Sequence, residues 1–115
     1  MRHWPAAGAG AAASATGLLR ALAHEDRLLL LCQLSQEELC VSDLEARLKI
    51  YQPSLSQQLG VLRKQGLVTT RREGKHIFYR IADARALALL QVLYQQFCIQ
   101  PEGDTPLAQS PEYID

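Results

Sequence analysis

Residues 53–81, PSLSQQLGVLRKQGLVTTRREGKHIFYRI, place a predicted helix directly before a predicted β-hairpin. Leucines recur at i, i+4 and i+7 from Leu55, which is the spacing of one apolar helix face, and Gly66 is a typical residue for ending such a helix. β-Branched and aromatic residues then stand on both sides of Glu73 and Gly74, and this pattern predicts a hairpin with those two residues as its turn. The stretch therefore predicts the second helix of a helix-turn-helix followed by a wing.

Working outward, the apolar periodicity predicts helices on both sides of this stretch. They cover residues 14–23, 26–34, a segment that begins at Ser42, and residues 84–98. Ser42 and Glu45 have the spacing of a capping box, and Asp83 is a suitable N-cap for the last helix. The second helix is apolar nearly all round and is predicted to lie at the centre of the core. The fold class is mainly α with a small β-hairpin, a winged helix-turn-helix.

A chain of 115 residues predicts a single domain, whose folded body covers residues 14–98. Residues 1–13 are rich in Ala and Gly, and residues 99–115 are rich in Pro and acids, so both are predicted to be flexible tails. A hydrophobic content of 48% excludes a wholly disordered chain. No apolar run approaches the about 20 residues that span a membrane, and the N-terminus lacks the apolar core of a signal peptide, so a cytoplasmic protein is expected. In that reducing compartment, three cysteines do not form a structural disulfide framework.

The formal net charge of zero conceals a basic region. Between residues 63 and 80 there are six basic residues and one acid, which is a net charge of +5 and leaves −5 on the rest of the chain. Gln and Ser on the exposed face of the fourth helix can bind base edges, and basic residues on the wing can bind phosphates or enter the minor groove. Such residues are also ordinary on a solvated helix, and it is the adjacent basic hairpin that favours DNA. The candidate DNA-binding residues are Ser54, Ser56, Gln57, Gln58, Arg63, Lys64, Arg71, Arg72, Lys75 and His76.

Other classes of function find little support in the sequence. There is no nucleophile–base pair, no Gly-rich phosphate loop and no cluster of carboxylates, so an enzyme is not expected and no cofactor is implied. His3, His24 and His76 are scattered without the spacing of metal ligands, so no metal site is predicted either. A protein–protein module that uses the wing would leave the basic hairpin tip unexplained.

Three segments together resemble one family: ELCVSDLEARL (38–48), PSLSQQLGVLRKQGLV (53–68) and RREGKHIFYRI (71–81). They resemble the ArsR/SmtB repressors, and the resemblance covers most of residues 18–98. It implies a homodimeric repressor that occupies a partly palindromic double-stranded operator until an inducer binds. It also implies pairing through the first and last helices, which would bury the apolar faces within residues 18–22 and 87–97.

The resemblance also bears on the inducer. Where metal-sensing members carry Cys-x-Cys, this chain has Cys40-Val41-Ser42, and its last helix keeps Asp83 but contains neither His nor Glu. One Cys in ELCVSDL and another in YQQFC resemble the persulfide-responsive subgroup (the BigR/SqrR type). This implies that Cys40 and Cys98 are sensing thiols, which reactive sulfur species link by a disulfide or short polysulfide bridge that lowers DNA affinity.

Two other classes of inducer are also compatible with the same thiols. One alternative is an arsenic(III) or other soft-metal sensor that uses Cys40, Cys98 and also Cys32. The other is a peroxide-responsive thiol switch. From the residues alone, Cys40 and Cys98 are as easily explained as small half-buried hydrophobes, and Cys32, within the all-apolar second helix, is predicted to be core packing.

Overall fold

The computed structural model describes residues 9–98, which form five helices and a three-stranded sheet. In chain order the elements are α1 (Ala9–Leu22), α2 (Glu25–Leu34), β1 (Leu39–Cys40), α3 (Val41–Leu48), α4 (Ser54–Lys64), β2 (Val68–Glu73), β3 (His76–Ile81) and α5 (Ala84–Phe97). Helices α3 and α4 form the helix-turn-helix and strands β2 and β3 form the wing. The predicted winged helix-turn-helix is therefore confirmed.

Helix α1 begins earlier than the composition suggested. Residues 9–13 belong to the predicted Ala/Gly-rich tail, yet they form the start of α1. Alanine has the highest helix propensity of all residues, so a run of alanines extends a helix that is anchored further along the chain. The remainder of the predicted tail, residues 1–8, and the predicted tail over residues 99–115 lie outside the described residues.

The ends of α4 and α5 follow the sequence signals. Gly66 has φ 76°, its N–H donates to the carbonyl of Arg63 at 3.0 Å, and the N–H of Leu67 donates to the carbonyl of Leu62 at 3.0 Å. These are the two hydrogen bonds of a Schellman motif, with glycine at the left-handed position. The Asp83 carboxylate accepts from the N–H groups of Arg85 and Ala86 at 2.8 and 3.0 Å, so the predicted N-cap of α5 is confirmed.

The capping box predicted from Ser42 and Glu45 is wrong by two residues. The N-cap of α3 is Cys40, in an extended conformation (φ −93°, ψ 172°), and its N–H donates to the Asp43 carboxylate at 3.4 Å. The reason is β1, because pairing with β3 holds the chain extended through Cys40 and the helix begins at the next residue. A two-residue strand has too short a pattern to be predicted from sequence.

The sheet order is β1-β3-β2, with both pairs antiparallel. Glu73 pairs with His76, so the hairpin turn consists of Gly74 and Lys75, and the predicted turn at Glu73 and Gly74 is wrong by one residue. Gly74 has φ 64° and stands at the first turn position, which is the position where a type II′ turn needs glycine. The predicted turn would have required positive φ at Glu73, which is costly for a residue with a side chain.

The core lies around α2, which contacts α1, α3, α4, α5 and β3. Six leucines have almost no exposed surface: Leu30, Leu31, Leu44, Leu55, Leu62 and Leu90. The predicted inward face of α4 and the central position of α2 are thus confirmed, although Leu29 on α2 is exposed. Among the described residues, no helix is both long and apolar enough to cross a membrane.

Candidate nucleic-acid interface and thiol site

The outer face of α4 presents polar and basic side chains. Ser56, Gln57, Arg63 and Lys64 are exposed, while Leu55, Leu59 and Leu62 on the opposite face are buried. The Ser56 hydroxyl donates to the Gln52 side-chain oxygen at 2.6 Å, and the Ser56 N–H donates to the same oxygen at 3.1 Å. Gln52 thereby satisfies a free backbone N–H at the start of α4, and Gln57 stays available for a partner.

Ser54 and Gln58, two of the predicted DNA-binding residues, make side-chain contacts with α2. The Ser54 hydroxyl lies 3.5 Å from the Asp26 carboxylate, and Arg27 donates to the Gln58 side-chain oxygen at 3.0 Å. Arg27 also donates from Nε to the carbonyl of Ala21 at 2.8 Å. These half-buried contacts fix the orientation of α4 on α2, so both residues position the helix whose outer face carries Gln57.

The wing separates its basic residues into two groups. Arg72, Lys75 and His76 are exposed around the hairpin tip. Arg71 is also half-exposed, but its guanidinium is paired with Glu38 (Nη2 to Oε1, 2.8 Å) and with Glu73 (Nη1 to Oε1, 2.8 Å). The hydrogen bonds that Arg71 donates to these two carboxylates raise its pKa, so its positive charge is fixed and largely compensated. Arg80 on β3 is exposed as well, so the described wing presents four basic side chains outside any salt bridge and one, Arg71, that already holds two acidic partners.

Cys40 lies at the junction of the wing and the helix-turn-helix. It is the N-cap of α3 and it pairs with Phe78 of β3. Its side chain is buried (7% exposed), and the thiol donates to the Asp43 carboxylate at 3.2 Å and lies 3.3 Å from the Ser42 hydroxyl. A covalent change at this sulfur would disturb both the start of α3 and the edge of the sheet.

Cys98 lies in different surroundings. It is the exposed C-cap of α5, where its N–H donates to the carbonyl of Tyr94 at 2.8 Å. The pKa of the half-buried Cys32 thiol on α2 is raised, first by burial and second by the negative charge of Cys98. The structure therefore places Cys98 within electrostatic reach of Cys32, whereas the thiol of Cys40 faces Asp43. All three thiols are free.

Comparison with known proteins establishes the family. Residues 24–70 match the family described as bacterial regulatory protein, arsR family. A biofilm growth-associated repressor of Agrobacterium fabrum is 56% identical over 86 residues, which are 75% of this chain and 74% of that protein. The chain belongs to the ArsR family. It is a DNA-binding transcriptional repressor of this family.

Solved structures of ArsR-family regulators share the fold described above. The transcriptional repressor BigR from Xylella fastidiosa superposes with a TM-score of 0.73 at 49% identity, covering 77% of this chain and 91% of that one. A homodimeric winged helix-turn-helix DNA-binding domain, Mb0332 from Mycobacterium bovis, has a TM-score of 0.64 at 34% identity, covering 76% of this chain and 84% of that one. Both likenesses extend beyond α3 and α4 to the surrounding helices.

Within residues 9–98 of this ArsR-family chain, no three His, Cys, Asp or Glu residues are grouped so that they could hold a metal ion. Two features of the site have no signal in the sequence. Glu38 reaches Arg71 across 33 positions, and the electrostatic effect of Cys98 on the pKa of Cys32 depends on how α5 packs on α2. Contacts of that separation cannot be read from local periodicity.

Proposed function

We propose that the chain is a homodimeric repressor that releases its operator when Cys40 and Cys98 are bridged by reactive sulfur species. The observation that carries this proposal is the position of Cys40. A free thiol serves as the N-cap of the first helix of the helix-turn-helix and also pairs with the wing. Few positions in the fold would transmit a change at one sulfur to both DNA-binding elements.

The DNA-binding surface proposed here consists of the outer face of α4 and the tip of the wing. The polar side chains of α4 would read base edges in the major groove, while the wing would bind phosphates or enter the minor groove. Its exposed members are Ser56, Gln57, Arg63, Lys64, Arg72, Lys75 and His76. Ser54 and Gln58 would hold α4 in place on α2. Arg71 would become part of the DNA-binding surface only if a phosphate displaced Glu38 and Glu73 from its guanidinium.

The apolar surface of α1 and α5 supports the dimer. Large side chains there are exposed in the single chain, including Leu19 (56%), Val92 (53%) and Phe97 (77%). Several large apolar side chains left exposed on two helices are typical of a surface that another chain covers. A second copy would set two α4 helices side by side, as a partly palindromic operator requires.

The exposed thiol of Cys98 is the one that a persulfide in solution reaches first. Its thiolate takes the outer sulfur of a donor RS–SH, forming Cys98 persulfide and releasing RSH. The Cys40 thiolate then attacks Sγ of Cys98, which forms the Cys40–Cys98 disulfide, breaks the S–S bond of the persulfide and releases its outer sulfur as H₂S. If both residues carry a persulfide, the same displacement leaves a trisulfide. Either bridge ends the Cys40–Asp43 contact and shifts the start of α3, so the bridged state differs from the DNA-bound state as regulation requires.

The test combines intact-protein mass spectrometry with peptide mapping, after the reduced protein has been treated separately with a persulfide, peroxide and arsenite. We expect a Cys40–Cys98 cross-link and loss of binding to a duplex selected from a random library, with the persulfide alone. Cys40→Ser and Cys98→Ser should bind that duplex but not be released, and Cys32→Ser is the matched control that keeps the response.

Other outcomes of these treatments would identify a different inducer or a different pair of thiols. Release by peroxide without a sulfur donor identifies a peroxide switch, and retained arsenic on the cysteines identifies a soft-metal sensor. A cross-link between Cys98 and Cys32 removes Cys40 from the chemistry. In each of these cases the DNA-binding function stands and only the inducer or the thiol pair changes.

A further inference from the structure

The guanidinium of Arg71 is the most heavily paired cation of the wing. Its Nε lies 2.9 Å from both carboxylate oxygens of Glu38, and its Nη2 lies 2.8 Å from Oε1 of that residue. Its Nη1 donates to Glu73 at 2.8 Å, and its Cζ lies 4.8 Å from the centre of the Phe78 ring. Arg71 is therefore held in one orientation by three different groups.

The contact between Glu38 and Arg71 connects the segment before β1, which leads into the helix-turn-helix, with strand β2 of the wing. Glu38 immediately precedes β1, whose Cys40 pairs with Phe78, and Phe78 pairs with Arg71 on the other side. Side chains in one cross-strand row lie on the same face of a sheet, so Cys40, Phe78 and Arg71 share a face. The β1 strand thus holds a carboxylate over a wing arginine.

The carboxylate of Glu38 interacts with more than one cation. Its pKa is lowered by the hydrogen bonds from Arg71 and further by the positive charges of Arg71 and Arg80. Glu38 is consequently ionised at neutral pH and reduces the positive potential of the wing where phosphate would bind. The guanidinium remains half-exposed (48%), so a DNA phosphate in solvent can compete for it.

We propose that Glu38 is an internal competitor for the DNA phosphate that Arg71 would otherwise bind, and so lowers the affinity of the wing for DNA. A guanidinium makes the same bidentate pair with carboxylate as with phosphate, so the two anions compete for one set of donors. The inference rests on the proposed DNA-binding surface and is independent of the inducer. It makes Glu38 a residue that weakens binding, although it contacts no DNA itself.

Glu38→Gln tests the proposal, and Glu37→Gln is its matched control. Both substitutions remove one negative charge from neighbouring residues, but Glu37 pairs with Arg47 of α3 at 2.7 Å rather than with the wing. Binding is measured by fluorescence anisotropy on a labelled duplex of mixed sequence over a series of KCl concentrations, because phosphate contacts need no specific operator. Circular dichroism checks that each variant is folded.

We expect Glu38→Gln to raise affinity by about threefold to tenfold at low salt and to steepen the salt dependence by about 0.9, the slope of one additional phosphate contact. Glu37→Gln should change affinity by less than about twofold. Arg71→Ala should weaken binding by a small factor, since it leaves Glu38 and Glu73 without their cation. In the Arg71→Ala background, Glu38→Gln should raise affinity by a smaller factor than in the wild type and should no longer steepen the salt dependence, because no guanidinium is released to a phosphate.

Three results would overturn the inference. Equal gains from Glu38→Gln and Glu37→Gln would mean that only net charge matters. An equal gain in affinity and salt slope from Glu38→Gln in the Arg71→Ala background would mean that Arg71 is not the cation that Glu38 withholds from phosphate. A large loss from Arg71→Ala alone would mean that Arg71 already binds phosphate in the wild type. If the wild-type protein itself does not bind the duplex, it is the proposed DNA-binding surface that fails.

Discussion

At the scale of single residues, Arg71 and Arg72 show how alternation along a strand separates two identical side chains. They are consecutive in β2, so they point to opposite faces of the sheet. Arg71 is compensated by Glu38 and Glu73, whereas no salt bridge in the described part of the chain involves Arg72. Only the uncompensated arginine can add its full charge to a contact with DNA.

Arg72→Ala should therefore weaken binding to every duplex by a similar factor and reduce the slope of log K against log salt by about 0.9. Titrations at several KCl concentrations measure the slope, and Arg85→Ala on α5 is the control for loss of a cation away from the wing. An unchanged slope for Arg72→Ala would remove this residue from the interface.

Gln57→Ala should instead change the preference among selected duplexes and leave the salt slope unaltered.

At the scale of elements, α4 contains Gly60 inside the helix and is followed by Gly66 just after its C-cap, and the two glycines differ in backbone conformation. Gly60 has helical backbone angles with no atom within 4 Å of an added Cβ, whereas Gly66 has φ 76° in equally open space. An added Cβ therefore has equal room at the two positions, and only the backbone conformation differs between them. The pair isolates the contribution of the Schellman motif that leads from α4 into the wing.

Gly66→Ala should lower the free energy of unfolding by about 1–2 kcal/mol, because a Cβ is strained at positive φ. Gly60→Ala should raise it by about 0.5–1 kcal/mol through the higher helix propensity of alanine. Urea denaturation at one protein concentration measures both values. Equal effects of the two substitutions would contradict the role assigned to Gly66.

Local signals predicted most of the elements, and tertiary contacts account for the differences. Apolar periodicity, Gly66 and Asp83 were sufficient for the helices because each signal acts within one or two turns. The cap at Cys40 was not predictable, because it depends on pairing between β1 and a strand 38 positions later. For the same reason, the sequence identified Arg71 as basic but did not indicate that Glu38 neutralises it.

At the scale of the whole molecule, the apolar side chains of α1 and α5 predict a two-fold dimer. Phe97 is 77% exposed in the single chain and lies on the last turn of α5. Burying one phenylalanine side chain contributes about 1.5–3 kcal/mol, and a two-fold interface contains the residue twice. Phe97 is therefore a sensitive position for testing how copies associate.

Phe97→Glu should raise the dissociation constant of the dimer by about a hundredfold or more. Sedimentation velocity over a range of protein concentrations measures this constant. Ile77→Glu is the control, because Ile77 is exposed on the wing and should leave association unchanged. A Phe97→Glu protein that dimerises like the wild type would mean that the copies meet elsewhere.

The order β1-β3-β2 leaves β2 as an open edge of the sheet over its whole length. An open edge offers backbone groups to any other extended chain, and charged side chains are the usual protection against such pairing. Arg72 of β2, which is in no salt bridge of the described residues, thus has a second effect that is independent of DNA, since its charge repels the same edge of a neighbouring molecule. Replacing Arg72 with a β-branched residue should reduce solubility and promote aggregation during expression, at a step before any operator is encountered.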